Sequence, residues 1–214
     1  MARSAGGRTR SFEITEALDQ AVRVFWQYGY HDATLERLTR AMGINKPSLF
    51  LAFGNKQELF RKSLDHYRVC FLNTVFAELQ GPGSTRQAFE RFFDKLVDLL
   101  TCEQTPPGCL VALTLASGCP DPEVEAELKN FVQNTIDAMA QRLQVAKTRG
   151  ELPETEDPTA LAAFFSALTY TLAIAARTGE DPAQVKSLAW TALRLLPESV
   201  SPQNLQSSVS SDPI

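Results

Sequence analysis

Apolar residues recur along the chain at intervals of three and four, and no segment shows the apolar–polar alternation of a half-buried strand. An all-α fold is the expectation. From Ser11 the positions Ile14, Ala17/Leu18, Ala21/Val22 and Phe25 mark one face of an amphipathic helix that Gly29 ends. Leu35, Leu38 and Met42 mark a second helix, which opens on Thr34, a residue able to cap orphan backbone N–H groups. Gly43 follows, where a left-handed conformation is cheap only for glycine, and Ile44 plugs the turn from behind. Asn45 then caps a third helix with Lys46, Pro47 and Ser48 in its first turn and Leu49, Phe50 and Phe53 as apolar anchors. Two short helices joined by a tight turn make Thr34 to Lys56 a helix-turn-helix pattern, with the first helix packed behind it.

Asn55 and Glu58 have capping-box spacing. Leu59/Phe60, Ser63/Leu64, Tyr67, Phe71, Val75 and Leu79 continue a helical stripe until Gly81-Pro82-Gly83, predicting one long helix that leaves the three-helix unit. Beyond it prolines punctuate further helical runs. Ser84 to Cys102 carries Phe89, Phe92/Phe93, Leu96 and Leu99/Leu100; Gly108 to Ser117 is shorter; Val124, Leu128, Phe131/Val132, Thr135, Met139 and Leu143 stripe a helix ending at Gly150. Thr159 to Arg177 is alanine-rich and apolar almost all round, and Val185, Leu188/Ala189, Ala192 and Leu195/Leu196 give it a partner. The organisation predicted is a flexible basic arm over 1–10, a helix-turn-helix domain over 11–56, a helical regulatory and dimerisation domain over 57–196, and a disordered Ser-, Pro- and Gln-rich tail over 197–214.

Charge sharpens this division. Residues 1–70 hold 11 Lys/Arg against 7 Asp/Glu, net +4, and the remainder 10 against 18, net -8, giving the overall -4. A positive lobe on an acidic body suits approach to a polyanion in one orientation. Cys70, Cys102, Cys109 and Cys119 form no C-x-x-C pair, and of the two histidines, His31 and His66, only His66 stands near one of them, Cys70, so neither a metal site nor a cofactor is expected. No histidine-centred acid/base set or phosphate loop points to an enzyme. MARSAGGRTR carries arginines with no apolar run behind them, and Leu161 to Ala176 is interrupted by Ser166, Thr169, Tyr170 and Thr171. A cytoplasmic protein without a membrane span is expected, with its cysteines as thiols.

On Ala17, Ala21, Phe25 and Gly29, followed by Thr34, Leu38, Gly43, Leu49, Phe53 and Lys56, the chain resembles the TetR family of bacterial transcriptional regulators. GCLVALTLAS, Gly108 to Ser117, is similar to a motif in the acidic domains of one branch of these proteins. The resemblance implies a repressor of palindromic double-stranded DNA, released by a small-molecule effector whose identity the sequence leaves open. It further implies that Thr34, Ser48 and Lys56 touch phosphates, and that Lys46, Pro47 and their neighbours, with Asn45 at the helix cap, face the bases. Helix N-termini at Thr34 and Asn55 favour phosphate oxygens, and Lys46 can donate to guanine as well as to phosphate. Phe50 stands where the family usually has tyrosine and is read as core packing.

One short helix reads only a few base pairs, so a homodimer facing successive major grooves is expected. Its interface is assigned to the last two helices, through Phe164, Leu168, Leu172, Trp190 and Leu193 and a series of alanines. Candidate walls of an effector pocket are Phe89, Phe92, Phe93, Leu96, Cys109, Phe131, Thr135 and Met139. Cys109, after Gly108 at a helix start where the dipole lowers a thiol pKa, carries an alternative: a redox or electrophile sensor of the same fold. An all-helical enzyme and a helical interaction module without DNA are more distant alternatives.

Overall fold

The computed structural model describes residues 6–119 and 121–197, with side chains from Ile14 onward. The basic arm's first five residues and its arginine side chains lie outside the described residues, as does the tail from residue 198. Ten α-helices and no strand occur among the described residues. α1 (Gly6–Asp32) buries Ala21, Val22, Phe25 and Trp26, and its helical backbone is interrupted at Gly29, with φ 70° and ψ 177°. In α2 (Leu35–Met42) the Thr34 hydroxyl accepts the Arg37 N–H at 3.2 Å. Gly43 closes α2 in the left-handed region, φ 66°, a conformation that strains any residue with a side chain. Its N–H returns to Arg40, and the Ile44 N–H returns to Thr39. Asn45 starts α3 (Lys46–Phe53) by accepting the Ser48 N–H at 2.9 Å, and Leu49 and Phe53 seat it from behind.

Asn55 and Glu58 form the expected capping box of α4 (Lys56–Tyr67). The long helix continues to Gln80, but not as uniform α-helix. Arg68–Leu72 is a π-helical segment, α5 is Asn73–Phe76, and Ala77–Gln80 tightens into a 3-10 turn. Five four-residue steps from Leu59 to Leu79 would drift by about 200° around a 3.6-residue helix. The wider π turn takes up part of that drift, so Tyr67, Leu72, Val75 and Leu79 all stay buried.

α6 (Thr85–Leu100) and α7 (Leu110–Ser117) lead to three helices that begin alike: α8 (Pro122–Thr148), α9 (Pro158–Arg177) and α10 (Pro182–Ala192). At each start an aspartate, Asp121, Asp157 or Asp181, is the cap and proline is the first helical residue. Proline has no N–H, so the carboxylate accepts from the next residue, Glu123, Thr159 or Ala183.

Two cores result. One joins α1–α4 to Leu72, Leu110, Val111, Val124 and Leu128, so the packing behind the helix-turn-helix reaches well beyond residue 56. The other joins α6, α8, α9 and α10 around Phe89, Phe93, Met139 and Phe165. Phe76, Leu99 and Cys109 pack against both. α4 is also tied to the start of α8, where Arg61 pairs with Glu123 at 3.0 Å and Asp121 at 3.4 Å.

Burial corrects two interface expectations. Leu172 of α9 and Leu193, in the 3-10 turn after α10, are buried within the chain's own core at 0% and 1% exposure. They offer no area to a second copy. Phe164 is exposed, Leu168 and Trp190 are half-buried, and the further exposed apolar side chains on this side are Ile174, Leu188 and Leu195.

Candidate nucleic-acid interface and its cavity

α2, α3 and α4 each open on a side-chain-capped N-terminus in the N-terminal unit. Thr34, Asn45, Lys46, Pro47 and Ser48 are exposed, and Lys56, the first residue of α4, is half-buried. The caps leave donors free: the Thr34 and Ser48 hydroxyls and the Asn45 amide NH2 can all reach outward while their oxygens or backbones hold the turns. Orphan N–H groups and dipoles at these ends favour phosphate oxygens. The Lys56 ammonium donates to the His31 carbonyl at 3.3 Å and stands 4.5 Å from the Tyr30 ring centroid. Burial pushes its pKa down, partly offset by Asp32.

The structure adds cations that spacing does not single out. Arg37 donates to the Asp32 carbonyl at 2.9 Å with its guanidinium 4.3 Å from the Tyr28 ring centroid, and Arg40 pairs with Glu36 one helical turn away. With Gln27, Thr34 and Arg177 they line an open surface groove. Arg177, from α9, donates to the Gln27 carbonyl and so fastens the regulatory helices to the end of α1. Pairing and stacking of Arg37 are settled in three dimensions and leave no mark in the local pattern. Phe50 is a correction: it is 46% exposed rather than core, because Leu49 and Phe53 already fill the buried side of α3.

Where the two cores meet lies a partly open cavity of about 40 Å³. Phe92, Leu96, Cys109, Phe131 and Thr135 line it together with Leu72, Phe76, Val111, Ala112, Val132, Ser166, Thr169 and Tyr170. Phe89, Phe93 and Met139 do not. Phe89 and Phe93 face Phe165, at 4.9 and 5.9 Å between ring centroids, and Met139 is buried in the same core. No lining residue is charged. The Tyr67 hydroxyl lies 3.5 Å from the Cys109 sulfur, and burial pushes the Tyr170 pKa up to about 12. Burial also pushes the Cys109 thiol pKa up, against the expectation from its helix start. The Tyr67 hydroxyl and the Ala112 and Val111 N–H groups oppose that shift. Among the described residues no three His, Cys, Asp or Glu side chains stand close enough to share a metal ion.

Tyr67 and Phe71 lead away from the cavity to Trp26 of α1, with ring centroids 4.8 and 5.6 Å away and edge-on geometry. Cys109 on the cavity wall is thereby linked, through the Tyr67 hydroxyl and the Tyr67–Trp26 ring contact, to the helix that braces the reading head.

Comparison with known proteins agrees with this architecture. Residues 17–62 match the family described as bacterial regulatory proteins, tetR family, and residues 79–192 match the tetracyclin repressor-like C-terminal domain. The HTH-type transcriptional repressor ComR of Escherichia coli (strain K12) is 33% identical over 196 residues, 91% of this chain and 93% of that protein. The uncharacterized HTH-type transcriptional regulator YezE of Bacillus subtilis (strain 168) is 29% identical over 177 residues, 82% and 91% of the two chains. A cysteine-substituted form of the TetR family transcriptional regulator CifR, solved in complex with a 26-base-pair double-strand operator DNA, is 31% identical. It superposes with a TM-score of 0.79 over 92% of this chain and 100% of that one. Helix-turn-helix geometry, a separate helical domain and these matches together place the chain in the TetR family, as a DNA-binding transcriptional regulator.

Proposed function

We propose that the protein is a cytoplasmic homodimeric repressor that leaves a palindromic operator when a small uncharged molecule occupies the cavity between its two cores. The observation that carries this is the placement of Leu72 and Phe76. Both line the cavity, and both ride on the helical rod that begins at Lys56 beside the reading head. A ligand that fits only one position of that rod biases the separation of two such heads by its differential affinity. About 40 Å³ holds little more than water, so the effector enlarges the cavity as it enters, moving its walls. The apolar, hydroxyl-bearing lining suits an uncharged effector with one or two hydrogen-bonding atoms. The reading is regulatory, not enzymatic.

The homodimer is supported by α9. Its most apolar 18-residue window has mean hydropathy 1.7 and is only 33% buried, long and apolar enough to cross a membrane by length and composition alone. Ser166, Thr169 and Tyr170 face the cavity, whereas Ala160, Ala163, Phe164, Ala167 and Ile174 are exposed on its other side. Small residues beside exposed apolar ones suit close packing against a second copy. Charging this face, with Phe164 and Ile174 both changed to Glu, is expected to give a folded monomer by analytical ultracentrifugation. Operator affinity should fall by about a hundredfold, since the second half-site is no longer reached at high effective concentration. A double variant that stays dimeric would move the interface elsewhere.

Cys109 supports a second reading, because it lines the cavity with three hydrogen-bond donors around its sulfur, so an electrophile entering there would meet the thiol. Its raised pKa favours the protonated, less nucleophilic form at neutral pH and supports reversible binding instead. Effectors found by screening compounds that release the protein from its own upstream DNA should therefore release Cys109→Ser equally well. Loss of response in that variant, with a stable adduct on the wild-type thiol by mass spectrometry, would establish the covalent reading.

A further inference from the structure

The outer surface of α3 is less polar than a base-reading helix needs. Its hydrogen-bonding side chains, Lys46 and Ser48, and the cap Asn45, all stand in or before the first turn. From Leu49 to Phe53 no side chain carries a polar atom. Leu49 and Phe53 are buried. On a 3.6-residue helix Leu51 projects about 200° from Leu49 and about 160° from Phe53, directly away from the core and one turn beyond Pro47. It is 82% exposed, the highest value among the exposed large apolar side chains of the described residues, and its neighbour Phe50 is 46% exposed.

Leu51 is therefore held at the centre of the face that a helix-turn-helix turns toward the major groove. It can make no hydrogen bond to a base edge. The one apolar feature of that groove is the C5 methyl group of thymine. We propose that Leu51, flanked by Phe50, is a specificity-determining residue that reads thymine methyl groups in each operator half-site, while Lys46 and Ser48 supply the polar contacts one turn earlier. This rests on the DNA-binding reading of α2 and α3. The net charge of +4 over residues 1–70 fits duplex DNA as the occupant of this face better than it fits an apolar protein surface.

The test uses the full chain and a duplex selected by it from a randomised library. Each thymine of that duplex is replaced singly by deoxyuridine, which deletes the methyl group and leaves every hydrogen-bonding group in place. Wild-type affinity should fall about three- to tenfold at one or two positions per half-site, and Leu51→Ala should no longer distinguish thymine from deoxyuridine there. Leu51→Gln, which exchanges the alkyl contact for an adenine-reading amide, should select a different base at the same position. A flat deoxyuridine scan, unchanged discrimination in Leu51→Ala, or thymine retained by Leu51→Gln would overturn the assignment. Failure of the wild-type chain to enrich any sequence would instead overturn the DNA-binding reading beneath it.

Discussion

Changing Lys46 and Lys56 together to alanine is expected to weaken operator binding by more than about 10³-fold while leaving the thermal transition close to that of the parent. Lys46 opens α3 and is fully outside; Lys56 opens α4 beside the α1 terminus. A charge-assisted hydrogen bond contributes about 1.5–3 kcal/mol, and the proposed homodimer would be deprived of four such groups at once. The cost to the fold is smaller. Lys56 gives up one exposed hydrogen bond to the His31 carbonyl and a cation–π interaction with Tyr30 of about 0.5–1 kcal/mol. Salt dependence separates phosphate contact from base contact. Each phosphate released should flatten the slope of log affinity against log salt by about 0.9. Lys56→Ala should flatten it by that amount per protomer, and Lys46→Ala should do so only if its ammonium meets phosphate and not guanine. Fluorescence anisotropy over a range of about 50 to 200 mM salt reads both. An unchanged slope together with unchanged affinity in the double variant would remove these lysines from the interface.

Local chemistry makes the reading head legible. Thr34, Asn45 and Asn55 cap the helices that their types and positions predict, and Gly43 turns left-handed where the apolar period breaks, because caps and tight turns are decided within four or five residues. The π segment is not legible in the stripe, which predicts one long helix; only packing decides that Leu72 and not Phe71 is the residue buried there. Phe50 departs from expectation for a related reason. In an eight-residue helix two anchors suffice, and which aromatic is left over depends on how α1 and α4 pack behind it. The same holds on α6, where Phe89, Phe92 and Phe93 are alike in the pattern but only Phe92 meets the cavity. Leu172 fails as an interface residue because an alanine-rich helix presents apolar groups on every side, and Leu193, just past α10, is likewise drawn into the chain's own core. Only a helix's neighbours decide which side is already covered.

That difference between Phe89 and Phe92 should appear as function. Both rings are fully buried, so either change to alanine is expected to cost about 3–5 kcal/mol, lowering the melting temperature by about 6–20 °C for a chain of this size. Phe89 packs against Phe165 of α9 and does not line the cavity. Phe92 packs against Phe76, 5.4 Å between ring centroids, and shares the cavity wall with Leu72. Phe92→Ala therefore enlarges an apolar cavity bounded by the helix that carries the reading head, and such cavities take up small apolar molecules such as benzene. Benzene should raise the melting temperature of Phe92→Ala by mass action and, at a temperature where the variant is folded, change its operator affinity. In Phe89→Ala any stabilisation by benzene should change operator affinity less, because Phe89 does not line the cavity that Leu72 and Phe76 share. Equal effects of benzene on DNA binding in the two variants would mean that the cavity has no privileged connection to the reading head. The continuity from Phe92 through Phe76 and Leu72 to Lys56 would then be packing alone.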